Sequence, residues 1–157
     1  MATNWYVKGL EDCFDGTIDL FNDTLKIMLL SNTTVYTPSK AHLVVDAEGA
    51  NDPVDAELSC TGYVPGWGNS GRKTAEITKA PNFTLARIEV TIGDLTWISL
   101  QAGYTVVAAV LIKEGTADDT TSRLIGYIDG PDRVTNGSDF KLDFLDSANG
   151  GNFRIAC

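Results

Sequence analysis

Histidine occurs once in this chain, at position 42, and cysteine three times, at Cys13, Cys60 and Cys157. A single histidine excludes a histidine pair at a metal, and none of the cysteine spacings fits a zinc site or a redox motif. The expected state is three reduced thiols, two of them buried as small apolar groups. The nucleophile-elbow pattern G-x-S-x-G does not occur. No apolar run approaches the roughly 18 residues that span a bilayer. Met1-Ala2-Thr3-Asn4-Trp5 has no basic segment leading into an apolar core, so no secretory signal is expected and folding is expected in a cytoplasm. Basic residues are few: 12 Lys and Arg stand against 21 Asp and Glu, a net charge of −9. That surface repels phosphates, so neither nucleic acid nor an anionic membrane is an expected partner. With no internal repeat and no linker, residues 1–157 are expected to form one domain, with 1–9 as an N-terminal arm or first strand.

Short apolar segments dominate what is present. Residues 104–112 form a nearly unbroken apolar run with Val106, Val107, Val110 and Ile112 among them. Without alternation, both faces of such a strand should be covered. Residues 124–128 should return as its hairpin partner, and 25–30 read as another buried strand. Weak alternation in 56–63 predicts a strand. Phe83 and Leu85 share one parity and Ile88, Val90 and Ile92 the other, so a bulge or strand break is expected near Ala86-Arg87. Residues 140–144 alternate cleanly, and 153–155 read as a last short strand. Near-helical spacing of Leu10, Phe14, Ile18 and Phe21 predicts one or two helical turns within 11–20, and Ser39 is a candidate cap for a second short helix. Gly130-Pro131-Asp132 and Asn136-Gly137 are turn signals. The fold class expected is mainly β, an antiparallel β-sandwich or flattened barrel with one or two short helices.

Gly66-Trp67-Gly68-Asn69-Ser70-Gly71 fits G-x-G-x-x-G literally, and Gly66 to Thr74 nearly fits a phosphate-binding loop with Arg72 inserted before Lys73. Both motifs need a helix after the glycines. Strand periodicity follows here, so the segment is expected to be a mobile loop that shows Trp67, with no cofactor. His42 is expected to be a surface or satisfied core residue. The carboxylate pairs Asp118-Asp119, Asp129 with Asp132, and Asp143 with Asp146 do not follow a calcium-loop pattern, which favours solvated loop charge. Trp5 and Tyr6 are candidates for partner contact or for cover over the edge of the core. Trp67 and the loop's closing Arg72 are the other partner-contact candidates. The thiol of Cys157 is expected to be accessible and able to link to a neighbouring chain.

Thr24-Leu25-Lys26-Ile27-Met28-Leu29-Leu30, Tyr36-Thr37-Pro38 and Glu57-Leu58-Ser59-Cys60-Thr61-Gly62-Tyr63 carry the patterns T-x-K-x-x-L-L, Y-T-P and E-x-S-x-x-G-Y. Trp97 then precedes the long apolar strand, and Leu124-Ile125-Gly126-Tyr127-Ile128-Asp129 gives L-I-x-Y-I-D. In order and spacing these segments, over residues 10–129, resemble a family of small structural proteins of tailed-bacteriophage virions. The resemblance implies a non-enzymatic part of the particle. A capsid decoration or cement protein, homo-oligomeric and bound to the major capsid protein or other virion proteins, is the expected function. A tail or head-fibre module that binds host glycan or protein is the alternative.

Overall fold

The computed structural model describes residues 3–47, 49, 51–144 and 153–156. Cys157 and the 147–152 loop lie outside the described residues.

The centre of the main sheet is β7 (Thr105–Lys113), with β2 (Leu25–Ser31) on one side and β8 (Arg123–Val134) on the other. A short β1 (Thr3–Trp5) completes one edge against β8, and β3 (Lys73–Thr74) completes the other against β2. A second sheet holds β10 (Phe153–Ala156), β5 (Arg87–Ile92) and β4 (Ile77–Asn82) in that order, and β6 (Leu95–Trp97) pairs with β9 (Phe140–Leu142). All pairings are antiparallel. Only Ala75 and Glu76 separate β3 from β4, and β10 runs close to β1. The layers therefore approach each other at both edges, as in a flattened barrel.

The unbroken apolar run of β7 has the physical consequence expected of it. Ala109 and Leu111 join Leu25, Ile27 and Leu29 of β2 on one face, where they meet Val90 and Ile92 of β5, Trp97 of β6, and Phe140 and Leu142 of β9. On the other face Ala108, Val110 and Ile112 join Met28, Leu30 and Leu124 beneath Tyr6, Val45 and Ala56. Each fully buried Leu, Ile or Val contributes about 1.5–3 kcal/mol over an exposed one, so a strand covered twice is where the stability concentrates.

Several local readings give way to tertiary pairing. Thr3–Trp5 is a strand of the main sheet and not a free arm. The single α-helix among the described residues, α1, runs Val7–Asp15, earlier than its apolar spacing indicated. Gly16 ends it in the left-handed region at φ 84°, so this glycine caps the helix instead of weakening it. The second helix does not form after Ser39. There, Ser39 Oγ accepts the Ala41 N–H in an isolated turn, and the chain extends so that Val44 bridges Arg123 at the end of β8. Residues 56–63 are likewise no strand: Pro53–Ala56 is one 3-10 turn, and only Glu57 bridges to β2. Gly130-Pro131-Asp132 is a bulge inside β8, because Asp129 and Arg133 pair with Ala108 and Val106 and leave three residues opposite Val107. Proline, which has no N–H to give to the ladder, fits such a position.

Other expectations hold. The parity switch is the turn between β4 and β5, with Ala86 at φ 47°. Phe140, Leu142 and Phe144 are buried while Lys141 and Asp143 are exposed. Cys13 and Cys60 are free thiols, as expected, but they are half-buried against the core and not buried. Burial first, then the charges of Asp12, Asp15 and Asp23, push the Cys13 thiol up to about 11. Alkylation of Cys13 by iodoacetamide is therefore expected to be slow at neutral pH and to accelerate up to that value. A plateau near the ordinary thiol value of about 8.5 would contradict this.

Candidate functional site

The glycine loop lies over a buried cluster of charge. Arg72 is 3% exposed. Its Nε and Nη2 donate to Glu57 Oε1 and Oε2 at 2.9 and 2.7 Å, and its Nη1 and Nη2 donate to Asp119 Oδ1 and Oδ2 at 2.6 and 2.8 Å. Two carboxylates thus take the planar guanidinium side by side, the geometry for which arginine is suited. Glu114 adds a third carboxylate at 3.6 Å from Nη1, and its other oxygen pairs with Lys26 at 2.6 Å. Burial alone would lower the arginine pKa. The hydrogen bonds to Glu57 and Asp119 outweigh it and raise the value, so the ion stays charged.

Glu57 also organises its surroundings. The Tyr63 hydroxyl donates to Glu57 Oε1 at 2.9 Å and accepts the Leu29 N–H at 3.1 Å. Burial, and then the charge of Glu57, hold the Tyr63 phenol well above its usual range. The segment that carries the E-x-S-x-x-G-Y pattern therefore places its first and last residues on one hydrogen-bonded line from β2 to Arg72.

Two of the loop's amides are spent on the protein's own carboxylates. Gly66 N–H donates to Glu57 Oε2 at 3.0 Å and Gly68 N–H to Glu114 Oε1 at 3.3 Å. A phosphate would have to displace anions from those positions, and β3, not a helix, follows the glycines. In place of a mobile loop, the segment is tied down at several points. The Trp67 indole N–H donates to Gly115 O at 2.8 Å, and the Trp97 indole N–H donates to Gly71 O at 2.6 Å.

The four partner-contact candidates separate accordingly. Arg72 is an interior ion and offers nothing to a partner. Tyr6 is 2% exposed and its hydroxyl hydrogen-bonds that of Tyr36 at 2.8 Å, so it too is withdrawn from the surface. Trp5 is half-buried against the core and lines a small cavity of about 150 Å³ with Asn4, Lys40 and Tyr127. Trp67 remains at the surface, 40% exposed. His42 is satisfied, with Nδ1 at 2.9 Å from the Tyr36 hydroxyl. Asp119 belongs to the arginine cluster, and Asp118 accepts the Thr120 N–H and hydroxyl. No group of three or more metal-ligating side chains is found among the described residues.

Sequence reasoning missed several exposed apolar residues. Phe83 is 90% exposed and Leu85 54%, both on the turn joining β4 to β5, where Asn82 Oδ1 accepts the Leu85 N–H. The parity switch located this turn, but the same alternation placed Phe83 inside a strand. Phe14, 72% exposed, and Phe21 stand at a separate groove beside α1.

Fold and site together define a mainly β protein of antiparallel sheets with one short helix, in which a buried arginine–carboxylate cluster holds a surface loop. No family model matches the chain, and no curated protein or solved structure matches it either.

Proposed function

We propose that this chain is a non-enzymatic structural protein of a bacteriophage virion, a capsid decoration protein that attaches to the assembled head and stabilises it. The observation that carries this reading is the apolar tip of the β4–β5 turn. Phe83 and Leu85 project from a domain whose charged cluster is consumed internally in holding its own loop. Such a domain is suited to adhesion by an edge. Its acidic surface keeps free copies soluble, and the patterns that resemble those of small virion proteins set the context. Binding to an assembled shell stabilises that shell by mass action, and repetition over a lattice multiplies a small contribution per copy. The partner is the major capsid protein or a neighbouring virion protein, and the place of action is the virion.

The test is binding to particles that lack the protein. Phe83→Ser is expected to weaken attachment about tenfold or more, as truncation of an aromatic anchor does, while the free domain melts as the parent does. Undiminished attachment by Phe83→Ser and by Trp67→Ala together would overturn this surface. A tail or head-fibre module that binds glycan or protein is the second reading, favoured by the Trp67 ring at the surface with Asn69 on the same loop. Many copies spread over the head separate the first reading from the second, which requires few copies at a vertex or tail.

A further inference from the structure

We propose that the groove between α1 and the turn at Asp19–Phe21 is a docking surface for a basic segment of a partner protein that carries an apolar anchor. This goes beyond the decoration reading and uses a different surface from the β4–β5 turn. The groove has a volume of about 310 Å³ and is lined by Leu10, Cys13, Phe14, Ile18, Leu20 and Phe21. Ile18 and Leu20 are buried and form its floor, while Phe14 and Phe21, 72% and 40% exposed, stand at its sides. A helix on a protein surface ordinarily turns its large apolar residues inward. In α1 Leu10 and Cys13 are half-buried, but Gly9 is its one buried residue and its largest apolar side chain, Phe14, faces water.

Charge identifies the occupant. The last half of α1 carries Glu11, Asp12 and Asp15, with no basic residue in its last turn. Carboxylates at that end oppose the helix dipole, which favours cations there. Asp19 adds a fourth. Glu11 pairs with Lys8 at 2.6 Å, and Asp12 has Arg123 at 3.8 Å. Asp23, behind the turn, pairs with Lys113 at 2.6 Å. Asp15 and Asp19 instead accept hydrogen bonds from Thr17 N–H, and from Phe21 N–H, Asn22 N–H and the Asn22 amide. Neither is in an ion pair with a Lys or Arg among the described residues. Those hydrogen bonds hold both carboxyls below their usual range, so the rim stays anionic. The site already receives one cation, since Lys79 Nζ stands 4.3 Å from the centre of the Phe21 ring. An apolar floor with aromatic sides and an anionic rim is complementary to a segment that presents Lys or Arg beside a Leu or Phe.

The test uses the full chain and two synthetic amphipathic helical peptides, one with Leu and Phe on one face and Lys on the other, its twin with Glu in place of every Lys. The Lys peptide is expected to bind saturably, more weakly as salt rises, and to shift the NMR signals of residues 10–21. The Glu twin is expected not to bind. Phe14→Ser should weaken binding about tenfold, Asp15→Lys by a smaller factor, and Phe83→Ser not at all. Equal binding of the two peptides, binding indifferent to salt, or signal changes confined elsewhere would overturn the proposal. So would a dimer in sedimentation that Phe14→Ser converts to monomer, because a second copy would then be the occupant. If Phe83→Ser and Trp67→Ala together leave particle attachment intact while the Lys peptide still binds here, the proposed attachment surface fails and this proposal stands.

Discussion

Replacing Arg72 with methionine is expected to destabilise the folded chain by about 3–5 kcal/mol, the cost of leaving buried charge without its partner. The side chains of Arg72, Glu57 and Asp119 are 0%, 1% and 9% exposed. Without the guanidinium, two carboxylates and part of a third face one another with no cation but Lys26, which Glu114 already holds. Marginal stability of about 5–15 kcal/mol makes such a loss a large fraction of the whole. Urea unfolding would show it as a lower midpoint at unchanged slope. Arg72→Lys keeps the charge but cannot place donors on both carboxylates at once, so most of the loss should remain. Adding Glu57→Gln and Asp119→Asn to Arg72→Met removes the uncompensated charge and should recover part of it. A loss under about 1 kcal/mol for Arg72→Met would mean that water reaches the cluster and screens its charges.

The second large effect runs against helix propensity. Alanine in place of a helical glycine ordinarily gains about 1 kcal/mol. At Gly9 it should instead cost about 1–3 kcal/mol, the range for overpacking a close contact. An added Cβ would collide with the Leu124 carbonyl and lie 2.8 Å from Ile125 Cα, both backbone atoms of β8. Rotating a side chain cannot relieve contacts with backbone, so α1 would have to lift from the sheet. Because Tyr6 N–H donates to Ile125 O and its ring is buried just before the helix, lifting α1 also strains the second core. Gly16 is the control: nothing lies within 4 Å of its added Cβ, so Gly16→Ala should lose only the cost of its φ of 84°, about 1 kcal/mol. Thermal melting of the two variants separates the causes. A Gly9→Ala chain as stable as the parent would show that α1 does not need this close approach.

The close approach at Gly9 marks where reading the sequence stops. Periodicity in Leu10, Phe14 and Ile18 is a statement about sidedness, yet the three part company: Ile18 is buried beyond the end of α1, Leu10 is half-buried and Phe14 faces water. Which face of α1 meets the sheet depends on how near the backbone comes, and Gly9 is the residue that lies against β8.

The class of fold and its centre were legible in local periodicity. Val106 to Ile112 suits a strand covered on both faces better than a helix, since the run is short, β-branched and without alternation that would leave a face for water. Clean alternation in 140–144 and the parity break at 86–87 were equally local, and local periodicity reports burial directly. The partners were not legible there, because they come from distant parts of the chain. Arg72 meets Glu57 and Asp119, 15 and 47 residues away, and no spacing rule links positions brought together by separate strands and loops. The same closure withdrew Tyr6 and Arg72 from the surface and left Phe83 and Phe14 on it. An apolar or charged residue has the same name in either place, and its exposure is fixed by which backbone lies over it.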